Sequence, residues 1–578
     1  MYRAGWSRRE IAVVPRGLAM HGFGMPQHRA LGRQTPLYAR AVFLRDARGR
    51  TLIFCCLDLG YVTHAMRGGV DAVLRREMGT DYDDAALVLT CTHTHSGPGG
   101  CSHDVLYNLV TPGFVPEHLA AVVEAAAAAI LTAWRDAAPA QLGLVAGAFD
   151  PAVPVAWNRS LRAYNRNPEV QPRGLDETHL ALDRGMQVLS LRRDGRVHAL
   201  VSLFGVHATC LGAGLRNYDG DNKGYAAAQA ERALQRAGAA DAVAIFAQAT
   251  AGDVSPHFHG PRQAARRKAL RGAAEVEYAQ DNGRRQSELA LALLASGAER
   301  PLSGGIDAVF SYADLSAVHA DAEFAGGETQ AYTSEPCHGL AFFAGTPVDG
   351  PGIAAPLAAV IKRAALLVQK LRLRSRDDTE DQAYYRRLYA AQSPKAVLIE
   401  AGRKRVLGRP LEKVALPGFL DPSVAELKRQ VRAGAVKDSA MIPSVLPLQI
   451  VTIGGLALVC CPGEFTTTAG ARLRQTVQQR LAAQGIERVL ICTYCNDYMG
   501  YVTTRQEYEE QAYEGGHTVY GKWTLAAFQT LYARLARQLL QPEGRRTHDR
   551  GTRPAPVPAG ELALRTNRFD PGLRESKR

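Results

Sequence analysis

Two histidines, His93 and His95, follow an apolar run, residues 85–89, that predicts a buried strand. Because residues i and i+2 of an extended chain face the same side, the two imidazoles are expected to point into one cavity. Neutral imidazole is the commonest metal ligand in proteins and an acid or base near neutral pH. The two histidines alone leave two interpretations about equally open: a metal or catalytic site, or a solvated pair on a strand with no chemical role.

Other side chains with useful chemistry also follow apolar runs that predict strands. In α/β sheets, ligands bind beyond the carboxyl ends of strands, where the scaffold brings the loops together. Two histidines and one carboxylate are a common catalytic zinc set, although each such residue alone is more often structural. The predicted strand ends lead to His207, to Glu464, to residues 252–256 with Ser255, and to Asn496-Asp497-Tyr498 followed by Tyr501.

The elements that would position these residues alternate between apolar runs and alanine-rich helical runs over the first 250 residues. This succession predicts the α/β class, as a large single catalytic domain with a mixed β-sheet core flanked by helices. We expect that domain to span residues 1–541. Its clearest predicted elements are helices over 64–78, 116–135 and 223–237, a hairpin about Gly454-Gly455 and a closing helix over 519–540.

Composition predicts a soluble core and a cytoplasmic location. The 578 residues are 46% hydrophobic, and no apolar run reaches the roughly 18 residues that a membrane span needs. The first 20 residues carry several arginines and lack the apolar stretch of a secretory signal. The ten cysteines lie largely within apolar runs, and the Cys492-x-x-Cys495 pair has no second such pair to complete a zinc site. They are therefore expected to be reduced core residues.

The net charge of +13 raises the question of an anionic partner. Residues 541–578 hold nine basic and five acidic residues in a Pro- and Gly-rich context, so a basic, mobile tail is predicted over 542–578. Such a tail can touch an anionic membrane surface, in which case activity on anionic vesicles would fall with added salt or with deletion of the tail. No nucleic-acid-binding signature accompanies the charge, so nucleic acid is not expected as a partner.

The longest motifs of the chain resemble the neutral/alkaline non-lysosomal ceramidases over most of residues 8–540. The resemblance is carried by many ordered blocks, which makes chance agreement implausible. These blocks include the segments THTHSGPGG (92–100), NRS (158–160), GDNKGY (220–225), GDVSP (252–256), PGEFTT (462–467), GYVTT (500–504) and YEG (513–515).

The resemblance implies hydrolysis of the N-acyl amide bond of ceramide to sphingosine and a fatty acid. It implies a Zn²⁺ cofactor and a lipid-like N-acyl substrate. Zinc can lower the pKa of bound water from about 15.7 to about 7, which gives hydroxide at neutral pH. The implied zinc ligands are His93, His207, Glu464 and Tyr501.

The resemblance also implies roles for four residues around the reacting carbonyl. Arg159 and Tyr513 would hold the charge that builds on its oxygen, and His95 would shuttle a proton to the departing amine. Ser255 matches a serine that one view of the family makes the nucleophile, a role that fits poorly with attack by a zinc-activated water.

Departures from the family pattern leave the substrate open. Cys101, residues 208–211 and the stretch 257–340 match poorly, and the C-terminal β-sandwich module usual in the family is expected to be missing. Three functions are therefore weighed: a ceramidase, a zinc hydrolase of the same fold acting on another N-acyl lipid, amide or ester, and a catalytically silent binding protein. The intact set of implied site residues argues against the third.

Overall fold

The computed structural model describes residues 2–25, 27–108, 111, 113–257, 260, 263–346, 348, 350–374, 380–414 and 422–567. Two β-sheets pack face to face, and helices cover their outer sides. This architecture confirms the predicted α/β class with a mixed sheet core flanked by helices.

The strands are numbered here in chain order. Those of the first 260 residues are β1 (Tyr2–Glu10), β2 (Gly32–Arg33), β3 (Tyr38–Arg45), β4 (Thr51–Leu57), β5 (Leu87–Cys91), β6 (Ala138–Ala148), β7 (Trp157–Asn158), β8 (Gly185–Arg193), β9 (Arg196–Leu203), β10 (Asn217–Tyr218), β11 (Val243–Ala247) and β12 (Val254–Ser255). Those that follow are β13 (Arg300–Leu302), β14 (Ile306–Asp314), β15 (Cys337–Gly339), β16 (Gly345–Thr346), β17 (Gly350–Pro351), β18 (Val397–Glu400), β19 (Arg405–Val406), β20 (Arg409–Pro410), β21 (Val445–Ile453), β22 (Leu456–Cys460), β23 (Glu464–Phe465), β24 (Arg488–Cys492) and β25 (Tyr501–Val502).

The α-helices are numbered in the same way. They are α1 (His64–Met78), α2 (Pro116–Arg135), α3 (Leu161–Tyr164), α4 (Asp221–Arg236), α5 (Ala264–Ala269), α6 (Ala273–Ala295), α7 (Leu340–Phe343), α8 (Ala355–Arg374), α9 (Glu380–Gln392), α10 (Pro422–Arg432), α11 (Thr467–Leu481), α12 (Arg505–Glu510), α13 (Tyr513–Gly516), α14 (Thr524–Leu539) and α15 (Ala559–Arg565).

The larger sheet has nine strands in the order β11-β9-β8-β6-β1-β3-β4-β5, with β13 also paired to β6. Its pairs β11–β9 and β4–β5 are parallel and the others antiparallel, so the sheet is mixed. The smaller sheet has the order β14-β21-β22-β24, in which β22 and β24 run parallel. The loops that follow β5, β9, β22 and β24 carry the candidate residues His93, His207, Glu464 and Tyr501.

The two sheets share one apolar layer, in which Phe54 and Val201 of the larger sheet join the same buried cluster as Val451 and Leu458 of the smaller one. Helices α1 and α2 cover the outer face of the larger sheet at β1 and β3, and α4 and α6 cover it at the β11 side. Helices α11 and α14 cover the smaller sheet. The result is four layers, helix–sheet–sheet–helix.

Two helix predictions, 64–78 and 116–135, agree with the structure at both ends. Thr63 caps α1 by accepting a hydrogen bond from the Met66 backbone N–H, and Pro116 occupies the first turn of α2, where its missing N–H costs nothing. Among the helices the structure describes, α2 alone is long and apolar enough to cross a membrane by length and composition. Half of it is buried against β1 and β3, as in a core helix.

The closing helix is shorter than predicted. Helix α14 begins at Thr524, whereas the sequence pattern predicts a helix from residue 519. Gly521 has a φ of 94°, which a right-handed helix does not allow, and the Lys522 backbone N–H donates to the Ala391 carbonyl (2.9 Å). Because of the Gly521 conformation and this contact with the end of α9, the helix begins at Thr524 and not at residue 519.

Some side chains of residues 543–567 contact the domain, although most of residues 547–560 are exposed, and the mobile tail stays a prediction. The Arg565 side chain is buried and donates to the carbonyl oxygens of Ala435 (2.7 Å) and His103 (2.5 Å). Arg546 pairs with Asp307 on β14. Arg546 and Arg565 therefore bind acceptors on the domain. Such tertiary contacts cannot be predicted from composition. Residues 568–578 lie outside the described part of the chain.

All ten cysteines are free and buried, which confirms that they are core residues. Cys492 closes β24, and Cys495 follows it in a turn beneath the smaller sheet. Burial raises the pKa of the Cys495 thiol well above its usual value. Because a thiol must be deprotonated to react or to bind zinc, these cysteines serve packing.

Candidate metal centre

The four side chains proposed as ligands lie where strands of both sheets end. Strands β5 and β9 end shortly before His93 and His207. Glu464 on β23 and Tyr501 on β25 are register partners in a short parallel pair, just beyond the ends of β22 and β24. The loops that the strand-end argument singled out therefore lie close together in the structure.

His93 does not continue strand β5, so the extended-chain reason for pairing it with His95 is wrong. The strand ends at Cys91, and His93 has left-handed backbone with a φ of 64°. This conformation costs a residue other than glycine about 1–3 kcal/mol and is concentrated at functional sites. The two imidazoles meet nevertheless, with their Nε2 atoms 3.2 Å apart. The predicted proximity is confirmed, although a turn produces it.

Candidate ligand atoms from all four residues lie close together. Oε2 of Glu464 lies 3.1 Å from Nε2 of His207 and 3.5 Å from Nε2 of His93. The Tyr501 phenol oxygen lies 3.3 Å from Nε2 of His207. Donors that bind the same metal ion, each about 2.0–2.2 Å from it, lie within about 4 Å of one another. These separations therefore fit donors that hold one divalent ion.

Hydrogen bonds on the far side of each ring orient these imidazoles as ligands. Nδ1 of His93 donates to the Gly60 carbonyl, and Nδ1 of His207 donates to the Val254 carbonyl (3.0 Å). With the proton held on Nδ1, the Nε2 lone pair of each ring points towards Glu464. Metal-binding histidines generally donate a hydrogen bond from their second ring nitrogen in this way.

Two tyrosines hold the Glu464 carboxylate in place. The Tyr498 hydroxyl donates to Oε1 (2.5 Å) and the Tyr494 hydroxyl donates to Oε2 (3.1 Å). Burial alone would raise the pKa of Glu464, but the neighbouring His93 and His207 and the Tyr498 hydrogen bond outweigh it and hold that pKa well below its usual value. The carboxylate is therefore ionised and oriented as a ligand requires.

His95 adds a third imidazole to the cluster. The ring nitrogens of His93, His95 and His207 all lie within 4.8 Å of one another, so this buried histidine group could itself hold a metal ion. His95 stands at the edge of the cluster that faces the cavity, with Gly22 against its ring. A Cβ at position 22 would overlap the imidazole, which explains why glycine is needed there.

Arg159 approaches the cluster from the opposite side. Its Nη2 donates to the Tyr501 phenol oxygen (3.1 Å) and to the Gly252 carbonyl (2.8 Å), while its Nε donates to Glu514 (2.9 Å). Tyr513 lies over the guanidinium, whose carbon is 5.4 Å from the ring centroid. The cation is thus buried and held in place beside the candidate ligands.

A cavity of about 150 Å³ opens beside the cluster. His93, His95, Glu464, Tyr501 and Tyr513 all line it, so five of the residues singled out from the sequence share one chamber. The rest of its wall is mostly apolar or aromatic and includes Leu106, Tyr107, Phe342, Phe343 and Ile399. The cavity therefore has polar candidate site residues on one side and apolar walls that can contact hydrocarbon on the other.

Ser255 lies behind the cluster rather than in this cavity wall. It is fully buried on β12, next to Val254, whose carbonyl accepts the His207 hydrogen bond. The Ser255 hydroxyl accepts from the His257 backbone N–H (3.5 Å). The nucleophilic role of Ser255 stays a prediction.

Sequence reasoning assigned no role to Tyr494, Glu514 or His517. Tyr494 stacks on His93 with ring centroids 4.3 Å apart, and His517 lines the cavity. Glu514 follows Tyr513 in the motif YEG (513–515), and that motif is the sequence signal that could have identified Glu514. Tyr494 and His517 come from turns, for which no periodicity gave a signal.

Burial of the imidazoles leads to an expectation about pH. It lowers the pKa of His93 to about 4 and that of His95 well below the usual 6.5, although Glu464 opposes both shifts. A ligating imidazole must be neutral, so at His93 protons compete with a metal only at low pH. We expect half of the bound metal to be released at least about one pH unit below 6.5, measured by dialysis at stepped pH and mass spectrometry. Release near 6.5 from protein that keeps its circular dichroism would contradict this.

The fold is α/β, and its candidate site is a buried cluster of imidazole, carboxylate and phenol groups. The sequence profile of the family described as neutral/alkaline non-lysosomal ceramidase, N-terminal, matches residues 2–413 and 428–530. This chain belongs to that family.

Named relatives and solved structures agree. The neutral ceramidase of Pseudomonas aeruginosa is 31% identical over 93% of this chain and 72% of its own length, and that of Mycobacterium tuberculosis is 33% identical over 93% and 77%. A structure of a ceramidase complexed with C2 superposes with a TM-score of 0.78 at 28% identity, covering 96% of this chain and 78% of that one. The Pseudomonas aeruginosa neutral ceramidase structure gives 0.76 at 28% identity, covering 96% and 76%.

Proposed function

We propose that this enzyme hydrolyses the N-acyl amide bond of ceramide, giving sphingosine and a fatty acid, with Zn²⁺ held by His93, His207, Glu464 and Tyr501. The observation that carries the proposal is that three pairs among these four residues, Glu464–His207, Glu464–His93 and His207–Tyr501, have donor atoms 3.1–3.5 Å apart beside an apolar-walled cavity. Bound zinc would supply Lewis acidity, which lowers the pKa of water from about 15.7 to about 7 and polarises a carbonyl.

The cavity suits the reacting part of a lipid. At about 150 Å³ it is smaller than the roughly 300–1,000 Å³ that encloses a drug-sized ligand. It can therefore admit the amide and the first carbons of each chain. The remaining hydrocarbon would leave past Phe342 and Phe343, which are half-exposed at its edge.

Arg159 and Tyr513 serve as donors to the carbonyl oxygen as negative charge builds on it. The arginine is held by Glu514 and by the Gly252 carbonyl, so it needs no reorganisation during the reaction. A fixed donor of this kind is typically worth about 3–4 kcal/mol in the transition state. Burial and Glu464 raise the pKa of Tyr501 well above its usual value, and the guanidinium of Arg159, which donates to the phenol oxygen, opposes that rise.

His95 is assigned to proton transfer. Its Nε2 faces the cluster, while its buried Nδ1 has no hydrogen-bond partner among the described residues. We expect His95→Ala to lower turnover by about 10²–10⁴-fold while the metal content stays near one ion per chain. Metal content by mass spectrometry and turnover with and without added imidazole would measure this. Loss of the metal would instead make His95 a ligand, as the three-histidine group allows.

The experiment that tests the proposed function compares substrates on metal-loaded protein. We expect a fluorescent ceramide to be cleaved faster than short N-acyl amines and than an ester of the same acyl chain. Faster cleavage of another N-acyl compound or ester would support a hydrolase of different specificity. Protein that cannot be loaded with metal and cleaves none of these substrates would contradict the proposal.

A further inference from the structure

Helix α8 exposes an apolar stripe that nothing in the described part of the chain covers. Leu357, Val360, Leu367 and Leu371 follow one another at helical spacing, and each is between 55% and 62% exposed. The opposite face of the helix is anchored, because it packs with Leu340 and residues of β18 in a buried cluster. A soluble protein rarely leaves such a stripe on an ordered helix without a use.

Basic side chains flank the stripe. Residues 355–374 contain five lysines and arginines and no aspartate or glutamate. Arg372 pairs with Glu400 (2.7 Å), whereas the others are exposed and form no ion pair with any acidic group the structure describes. These unpaired cations are Lys362, Arg363, Lys370 and Arg374.

The stripe adjoins the mouth of the cavity. Phe342 and Phe343 of α7 line that cavity, and the Ile353 backbone N–H just before α8 donates to the Phe343 carbonyl (2.8 Å). The β16–β17 hairpin connects α7 to α8 and approaches Phe23, whose ring centroid lies 4.8 Å from that of His95. Half-exposed aromatic residues thus connect the exposed helix to the reaction centre.

We propose that α8 docks on an anionic lipid bilayer, with its apolar stripe in the interface and its basic residues against the headgroups, so that a lipid substrate passes from the bilayer into the cavity. The proposal rests on the proposed function, because it supposes a membrane lipid as substrate. An apolar stripe flanked by lysine and arginine is the pattern of helices that lie in the membrane interface. A second copy of this chain is a poorer occupant, because two such helices would bring like charges together.

The test measures binding of the full chain to vesicles that contain no ceramide. Wild-type protein should sediment with vesicles of phosphatidylcholine and phosphatidylglycerol, less with phosphatidylcholine alone, and less at high salt. Leu367→Glu/Leu371→Glu should lower the partition coefficient by at least about tenfold, because it places charge in the apolar stripe. Val14→Glu/Leu175→Glu is the matched control, since it adds the same charge at residues 64% and 62% exposed on other segments.

Hydrolysis of a soluble short-chain substrate separates this inference from the proposed function. All three proteins should cleave it equally, and only the α8 variant should lose activity on vesicle-embedded ceramide. Unchanged vesicle binding by the α8 variant would overturn the inference, whatever the substrate proves to be. So would light scattering that shows a wild-type dimer which the α8 variant splits into monomers, because a second copy would then cover the stripe.

Discussion

Replacing Glu464 by glutamine is expected to remove most of the bound metal and to lower turnover in proportion. The substitution keeps the shape of the side chain but removes the negative charge that lies 3.1 Å from His207 Nε2 and 3.5 Å from His93 Nε2. Changes to residues that merely support a metal ligand cost about 10–100-fold in affinity. Loss of a ligand charge should therefore cost more than about 100-fold, measured by competition with a chelator and by metal analysis.

Tyr498→Phe is the graded control for this experiment. It leaves the Glu464 carboxylate in place and removes only the hydrogen bond that the Tyr498 hydroxyl donates to Oε1 (2.5 Å). Its loss in metal affinity should fall within about 10–100-fold. If Glu464→Gln held the metal against the chelator as firmly as the unchanged protein does, Glu464 would not be a ligand. The metal would then have to be bound by the alternative group, His93, His95 and His207.

Replacing Arg159 by methionine is expected to lower turnover by about 10²–10³-fold with the metal retained, because a fixed donor to the carbonyl oxygen is lost. The same change should destabilise the fold. Glu514 is almost fully buried and pairs with Arg159 Nε (2.9 Å), so the substitution leaves a buried carboxylate without its cation. Breaking a buried pair in this way costs about 3–5 kcal/mol of unfolding free energy.

The double variant Arg159→Met/Glu514→Gln separates these two effects. It removes the unpaired charge, while the Ser160 hydroxyl, which donates to Glu514 Oε2 (2.5 Å), keeps an acceptor. Thermal stability should return towards that of the unchanged protein, whereas turnover should stay low. Recovery of turnover together with stability would show that Arg159 only neutralises Glu514 and contributes no donor to the reaction.

Sequence periodicity predicted the local elements better than their ends. Helices α1 and α2 were predicted at both ends because cap residues or a first-turn proline accompany a strong apolar pattern. The start of α14 was missed because Gly521 and the contact with Ala391 belong to tertiary structure. The contacts of Arg546 and Arg565 were not predicted for the same reason, since their acceptors lie far away in the chain.

The candidate site was predictable in part from strand ends. His93, His207 and Glu464 were found because each follows an apolar run and carries a common ligand group. Tyr501 was assigned only by the family resemblance, because phenols are not usual zinc donors. Pairwise details such as the stacking of Tyr494 on His93 depend on turns with positive φ at both residues, which leave no periodic signal.

The origin of the four proposed ligands bears on how the molecule holds together. His93 and His207 follow strands of the nine-stranded sheet, whereas Glu464 and Tyr501 follow strands of the four-stranded sheet. An ion bound by all four residues would link the nine-stranded sheet to the four-stranded sheet. Its binding free energy would add to the cohesion of that sheet–sheet junction. Chelation should accordingly loosen the junction before either sheet comes apart on its own.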